Sequence, residues 1–303
     1  MKKSVLALAM AFGVTTAFAQ DLTSKKGEPI LPEAGDWGIA VDATPFLNYA
    51  GNMFGKSANN SAPTFNFLAG NSMILGRYFK DEKTAYRLGV NIGYASHSAT
   101  NLVDQDNYVP TATAPTSKVT DKSSVKSTGV GLTAGMEWRK GKTRLQGYYG
   151  AELGLFFGST HQKSSYGNAY GSSGAVGTST TPTSTSWGQS NGIPTGAGTA
   201  GAAAGSRVTD WKSGMSMQIG VRGFIGAEYF VLPKMSLGGE FGWAIGFNRN
   251  AAGTTVTETL NASGSGPMTL TSKTGTSGSF VVGTDNNNSF FGPTGSLRLN
   301  MYF

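Results

Sequence analysis

Phe291-Gly-Pro-Thr-Gly-Ser-Leu-Arg-Leu-Asn-Met-Tyr-Phe303 is the stretch whose reading decides the fold. Counting back from Phe303, Met301, Leu299 and Leu297 fall on one face of a strand. Tyr302, Asn300, Arg298, Ser296 and Thr294 fall on the other. A period of two with one apolar and one polar face marks a half-buried strand. The strand stops on an aromatic residue with nothing after it. A soluble sandwich can end the same way, so the tail alone does not separate the two architectures.

The opening residues decide the compartment. Met1-Lys-Lys is positive, Val5 to Val14 is apolar, and Ala17-Phe18-Ala19 is an A-x-A cleavage signal. Residues 1–19 therefore read as a secretory signal peptide cut before Gln20, not as a membrane helix. No Cys follows, which excludes a lipoprotein and any disulfide. Past Gln20 no apolar run approaches the roughly twenty residues a membrane helix needs. A membrane protein without such helices has to be a closed barrel, because every backbone group in lipid needs an internal partner.

Composition agrees with this. Glycine is abundant and charged residues make up only 14% of the chain. No sustained 3.6-residue period and no capping box before an apolar run are found, so no helix is expected. Losing Lys2 and Lys3 with the signal peptide lowers the formal charge from +7 to +5. That is too mild and too dispersed for a nucleic-acid footprint, so no nucleic-acid partner is expected.

Residues 20–36 form a short polar lead-in before a domain covering 37–303. The first expected strand is Trp37 to Asn48 and the second runs from roughly Thr64 to Lys80, with Ile74, Gly76 and Tyr78 outward and Arg77 inward. After a turn at Lys80–Thr84, the third carries Tyr86, Leu88, Val90, Ile92 and Tyr94 outward, with Arg87, Asn91 and His97 inward. A polar loop to about Ser127 leads to the fourth, with Val130, Leu132, Ala134, Met136 and Trp138 outward. Arg139–Thr143 is the second tight turn. The fifth strand turns Leu145, Tyr149, Ala151, Leu153, Leu155 and Phe157 outward. Ser159 to Asp210 is nearly all Ser, Thr, Gly, Ala and Asn, too polar to fold compactly by itself. The sixth strand has Trp211, Met215, Met217, Ile219, Val221, Ile225, Ala227 and Tyr229 outward. Val231–Met235 turns into the seventh, where Met235, Leu237, Phe241, Trp243, Ile245 and Phe247 oppose Ser236, Gly238, Glu240, Gly242, Ala244 and Gly246. A last polar loop to about Asn288 holds two short β-like pieces, Thr254–Leu260 and Met268–Ser272, read as a hairpin above the rest; ten strands in the closed sheet is the alternative.

The result is eight strands whose short and long connections strictly alternate, the layout of an outer-membrane barrel. Trp37, Tyr86, Trp138, Tyr229 and Phe303 would lie at one rim, and Tyr94, Phe157, Trp211, Phe247 and Phe291 at the other. Two aromatic girdles around an aliphatic band suit the two lipid interfaces. In this pattern, though in no residue-level motif, Trp37 to Phe303 resembles the small bacterial outer-membrane barrels of the OmpA/OmpX type, in a porin-like version with enlarged loops. The resemblance implies a closed eight-stranded antiparallel transmembrane β-barrel of a Gram-negative outer membrane, with short periplasmic turns and long extracellular loops. It also implies that Leu297, Leu299, Met301 and Phe303 form the signal read by the barrel-assembly machinery. Lipid and lipopolysaccharide of the outer membrane would be partners, together with an unidentified extracellular ligand. The chain departs from outer-membrane protein A in having no periplasmic domain after the barrel.

Alternation sends Asp42, Glu137, Glu152, Glu228 and Glu240 into the lumen, together with Arg77, Arg87, Arg144, Arg222 and Arg298. Buried charges persist when paired and hydrogen-bonded, and the Arg fork can hold two carboxylates, so a closed charge network is expected. Glu240 with Arg298, and Glu152 with Arg222, are the expected pairs. A selectivity ring or a gated ion path is the other reading of the same residues. His97 and His161 are the only histidines; His97 could face Asp104 or Asp106. No spacing ties a nucleophile to a base, and two His without clustered acids make no metal site, so neither catalysis, metal nor cofactor is expected. Gly129-Val-Gly131-Leu-Thr-Ala134 matches a dinucleotide-binding pattern, but lies on a strand with no following helix. The leading functional reading is a non-enzymatic envelope or surface-binding barrel; a narrow porin and a lipid-modifying or proteolytic barrel enzyme are the alternatives.

Overall fold

A computed structural model describes residues 22–55, 74–171, 178–179, 206–261, 267–284 and 297–303. The signal peptide at 1–19 lies outside them, as do most of 159–210 and the segment 285–296 with Phe291. The described elements are β1 (Trp37–Asp42), α1 (Thr44–Phe54), β2 (Ile74–Asp81), β3 (Thr84–Asp104), β4 (Lys118–Lys140), β5 (Leu145–Ser165) and the two-residue β6 (Ala169–Tyr170) and β7 (Thr178–Ser179). They continue with β8 (Ser206–Lys212), β9 (Ser216–Leu232), β10 (Met235–Asn250), β11 (Thr254–Leu260), β12 (Pro267–Lys273), β13 (Ser277–Thr284) and β14 (Leu297–Tyr302).

Eight of these strands pair in a ring in the order β1–β2–β3–β4–β5–β9–β10–β14 and back to β1, every pairing antiparallel. The last link is made by β14, which pairs with β10 on one side and β1 on the other; Met301 lies across from both Met235 and Ile39. Trp37 and Phe303 then exchange backbone hydrogen bonds at 2.9 and 2.8 Å. Tight turns join β2–β3, β4–β5 and β9–β10 at one end of the ring, here the turn end. At the β2–β3 turn the Lys83 amide donates to Asp81 Oδ1 at 2.8 Å, which holds that carboxyl below its ordinary value.

The ring is apolar outside and polar inside. Leu88, Ile92, Leu132, Leu153, Val221, Ile225 and Ile245 are exposed, whereas Arg77, Arg222, Glu137 and Glu228 have at most 1% of their surface exposed. Inward glycines make room for large neighbours: a Cβ on Gly226 would collide with the Tyr148 ring, and one on Gly131 would stand 2.5 Å from the Phe156 ring.

Four differences from the sequence reading have physical causes. First, β1 ends at Asp42, and Thr44–Phe54 is helical rather than a continuation to Asn48. Pro45 fits the first helical turn, and Phe46, Leu47, Ala50, Met53 and Phe54 recur at helical spacing. Second, several stretches taken for loops are strands. β3 and β4 stay paired out to Asp104 and Lys118, and β5 runs on to Ser165. Both faces of these extensions are polar, so no hydrophobic alternation marks them. Third, Trp211 faces inward, across from the fully buried Gln162. Lys212 pairs with His161 but Ser216 pairs with Gly158, so one extra residue lies between β8 and β9 and reverses the facing. Gly214 absorbs this bulge at φ 73°, a value side chains resist. Fourth, β13 pairs along β10 from Trp243 to Asn250 and puts Phe280 beside Phe247, an aromatic contact the sequence reading lacks. β11 and β12 do pair as a hairpin, and neither enters the ring.

The extensions form a tier beyond the ring with an interior of its own. Asp121, Ser123, Gln162, Ser164 and Asn168 are buried there, and Arg207 lies between the rings of Tyr166 and Tyr170 at 4.4 and 4.7 Å. Arg207 Nε donates to Glu258 Oε2 at 2.9 Å and its Nη1 to the Asn168 carbonyl at 2.6 Å. At the turn end the lead-in is more than a polar tether. Ile30, fully buried, packs in one cluster with Phe79, Ala85, Phe230 and Tyr302 and stoppers the ring. The Lys234 amide donates to the Ile30 carbonyl at 3.0 Å, and Lys234 Nζ to Asp36 Oδ2 at 2.6 Å.

Ile30→Ala removes the stopper's side chain and is expected to cost about 2–4 kcal/mol of unfolding free energy in chemical denaturation, with Leu31→Ala costing less. Burial pushes the Tyr166 hydroxyl up to about 12 against the attraction of Arg207. The folded pKa is raised, so the contribution is whole below the unfolded value of about 10 and is lost as pH rises from there toward 12. In ultraviolet titration, Tyr166→Phe should remove one of the late tyrosine steps.

Candidate functional site

Among the described residues the densest concentration of buried charge lies inside the ring toward its turn end. Because the strands are antiparallel and staggered, inward positions of β2, β3, β4, β5, β9, β10 and β14 meet across the lumen. Glu240 on β10 is the hub. Arg87 on β3 grips it with two nitrogens, Nη1–Oε2 at 2.8 Å and Nη2–Oε1 at 3.2 Å. Arg222 Nη1 lies 2.7 Å from Glu240 Oε1 and 2.8 Å from Glu152 Oε1. Arg298 Nη2 is 3.6 Å from Glu240 Oε1, and its side chain keeps 18% exposure. The pairs Glu240–Arg298 and Glu152–Arg222 are thus both within ion-pair distance, but Glu240 is shared among three guanidinium groups.

A second layer lies nearer the turns. Arg77 Nε is 3.1 Å from Glu137 Oε2, and its Nη1 donates to Tyr302 Oη at 2.7 Å and Asn300 Oδ1 at 3.1 Å. Glu228 Oε2 accepts from Ser236 Oγ at 2.8 Å, Asn300 Nδ2 at 3.0 Å and Tyr302 Oη at 2.8 Å. Arg139 pairs with Glu228 and lies 3.6 Å from Glu137 Oε1. Rings fill the space left between the charges: Phe224 lies 3.9 Å below the Arg87 guanidinium, and Tyr148 5.3 Å from that of Arg77. Desolvated cations over aromatic faces are well placed electrostatically.

One of the expected lumen residues lies elsewhere. Arg144 precedes β5 and donates to the carbonyls of Phe230 and Val231 at 3.3 and 3.5 Å, bracing the neighbouring turn instead of meeting a carboxylate. The side chain of Asp42 lies outside the described residues, although its backbone is paired with Arg298. Arg139 is the residue sequence reasoning missed, by assigning it to a turn. β4 continues through Lys140, and Arg139 stands two positions after Glu137, so extending the alternation by one step would have found it.

Leu297, Leu299, Met301 and Phe303 lie on the outward face of β14, with Phe303 65% exposed. His97 is exposed at the loop end, but it sits across from the buried Val125 and so lies on the inner face, as expected. Of the acids it could have faced, Asp104 pairs with Lys118, and the Asp106 backbone amide donates to Asn168 Oδ1 at 2.9 Å. His161 Nε2 contacts Asp210 Oδ2 at 2.9 Å. Among the described residues no group of three or more His, Cys, Asp or Glu could hold a metal ion.

No protein-family model matches the chain, and no characterised protein matches it in sequence. Among solved structures, it is similar to the outer membrane protein OprG from Pseudomonas aeruginosa, at 11% identity and a TM-score of 0.28, over 90% of this chain and 98% of that one.

Glu240→Gln leaves three guanidinium groups facing a neutral amide. It is expected to lower unfolding free energy by about 3–5 kcal/mol, the cost of breaking a buried ion pair. Arg298→Gln removes the longest and most exposed contact and should cost less than a third of that. Equal losses in urea titrations would mean that Glu240 is not the hub.

Proposed function

We propose that the chain is a closed eight-stranded transmembrane β-barrel of a bacterial outer membrane, with a lumen locked by the Arg–Glu network, and that it acts as a non-enzymatic envelope or surface-binding protein through the tier beyond its loop end. The inverted surface carries this reading. A soluble protein does not present Leu88, Ile92, Leu132, Leu153, Val221, Ile225 and Ile245 to water around its whole girth while sequestering Arg and Glu inside. Lipid reverses the cost: apolar side chains face outward, and the strands satisfy one another's backbone groups within the ring.

The rims support the same reading. At the turn end Trp37, Tyr86, Trp138, Tyr229 and Phe303 are all exposed. At the loop end Tyr94, Phe157 and Phe247 are exposed, and Phe280 joins them. Aromatic side chains at two levels, with aliphatic ones between, match the two interfaces of a bilayer. The secretory leader at 1–19 is consistent with export to that membrane. Leu297, Leu299, Met301 and Phe303, on the outward face of the ring-closing strand, are suited to recognition by assembly machinery before closure.

The filled lumen favours a structural or binding role over transport. An eight-stranded barrel has an interior only wide enough for side chains, and here Arg, Glu, Tyr and Phe occupy it. The expected outcomes are a heat-modifiable band in unboiled detergent gels, recovery in the outer-membrane fraction, and only small, flickering conductance in planar bilayers. Recovery as a soluble periplasmic protein would end the membrane reading. A large steady conductance would instead identify a narrow porin.

A further inference from the structure

Alternation does not stop at the outer girdle. The strands that turn Ser123, Val125, Gln162 and Ser164 inward must turn Lys122, Lys126, His161 and Lys163 outward, and the three lysines are exposed. Register then assembles them. Lys126 lies across from His161, and His161 across from Lys212 on β8, so the three form one row over three adjacent strands. At about 4.8 Å between strands the row is roughly 10 Å long. Lys163 stands in the next row beside Asp210, which also receives His161. The bulge at Gly214 is what brings Lys212 outward; without it Trp211 would occupy this face.

The row's position says what it meets. It lies four residues beyond Val130 and Phe157 on the same strands, about 13 Å along a strand tilted by about 40°, hence about 10 Å above the girdle. Between row and girdle the outward hydroxyls of Thr128 and Ser159 stand 3.0 Å apart. Two strands along from Phe157, through Met217, Arg249 overhangs an open hollow of about 500 Å³ lined also by Phe247 and Phe280. The sequence of chemistries from the belt upward is aliphatic, aromatic, hydroxyl, cation. That order complements an amphiphile with acyl chains, sugar hydroxyls and phosphate in the same order. Free phosphate would use only the last of the four.

We propose that the outward row Lys126–His161–Lys212, with Lys163 in the next row and Lys122 farther along β4, seats the phosphates of an outer-leaflet lipopolysaccharide. The inference rests on the membrane reading above and goes beyond it by assigning a site. Asp210 offsets one cation, and the remaining lysines leave the face positive. Basic side chains near an anionic membrane surface each favour binding roughly fivefold, so three together are worth about a hundredfold.

The test uses the full mature chain refolded in neutral detergent micelles, titrated with purified rough lipopolysaccharide. Lys126→Gln/Lys163→Gln/Lys212→Gln should bind about a hundredfold more weakly than the parent, and Lys126→Gln or Lys212→Gln alone about fivefold more weakly. Lys80→Gln/Lys140→Gln/Lys142→Gln, at the opposite rim, should bind as the parent does. Dephosphorylated lipopolysaccharide should bind the parent as weakly as intact material binds the triple variant. Undiminished binding by the triple variant and both single variants overturns the proposal, as does equal competition by inorganic phosphate, which would make the row a free-anion site. Heat-modifiability of every sample is read first. Its absence from the parent chain would count against the barrel and not against the row, and its loss in the triple variant alone would leave the single variants to decide.

Discussion

The ring depends on charge pairing in a place where water is scarce. Backbone hydrogen bonds tie each strand only to its two neighbours, so nothing in the sheet itself fixes opposite walls against each other. The guanidinium groups of Arg77, Arg87 and Arg139 supply those ties, reaching Glu137 on β4, Glu240 on β10 and Glu228 on β9 from strands that are not their neighbours, while Arg222 and Arg298 add pairs between adjacent strands. Each is demanding. A buried ion pair barely compensates its own desolvation, yet losing one partner strands the other. The network is therefore better understood as a constraint on shape and register than as a source of stability. A strand that slipped by one residue would point its charge into the apolar surroundings and its Leu or Ile into the lumen.

That constraint explains how much was legible in the sequence. Wherever one face is apolar and the other polar, as on β3, β9 and β10, alternation alone gave the strand, its facing and the inward charges. It failed where the contrast between faces vanished. The extensions of β3, β4 and β5 are polar on both sides: their inner face carries groups such as Asp121, Ser123 and Gln162, and their outer face carries Ser, Thr and Lys. It failed at Gly214, where one inserted residue reverses the count and sends Trp211 inward. Arg139 was lost to a familiar association of charge with turns, although its parity matched Glu137. The helix at Thr44–Phe54 was hidden because its first residues also continue the alternation of β1. Ile30 was overlooked as one apolar residue in a polar lead-in, a feature no periodicity can mark.

The tier beyond the ring follows a different rule from the ring itself. Among the described residues its interior holds amides, hydroxyls, the Asp121 carboxylate and the Arg207 guanidinium, which meets Glu258, Asn168 and two tyrosine rings. Such interiors rely on direction more than on area, since a polar group that loses its partner costs more than an apolar contact does. Substitution inside this tier should therefore be far less forgiving than on its outer face, where Ser, Thr and Lys alternate freely.

The stopper at the turn end has a consequence for how the chain completes itself. Ile30 precedes every strand of the ring, while two of its neighbours, Phe230 and Tyr302, come from β9 and β14 near the other end of the chain. The seat for Ile30 does not exist until the last strand has met the first, so its burial registers that the circle is joined. It behaves as a clasp on a bracelet. The entropy lost in joining such distant points grows only with the logarithm of the chain between them. Insertions between the strands can accumulate with little loosening of the clasp, leaving the far rim free to diversify while the fastening stays the same.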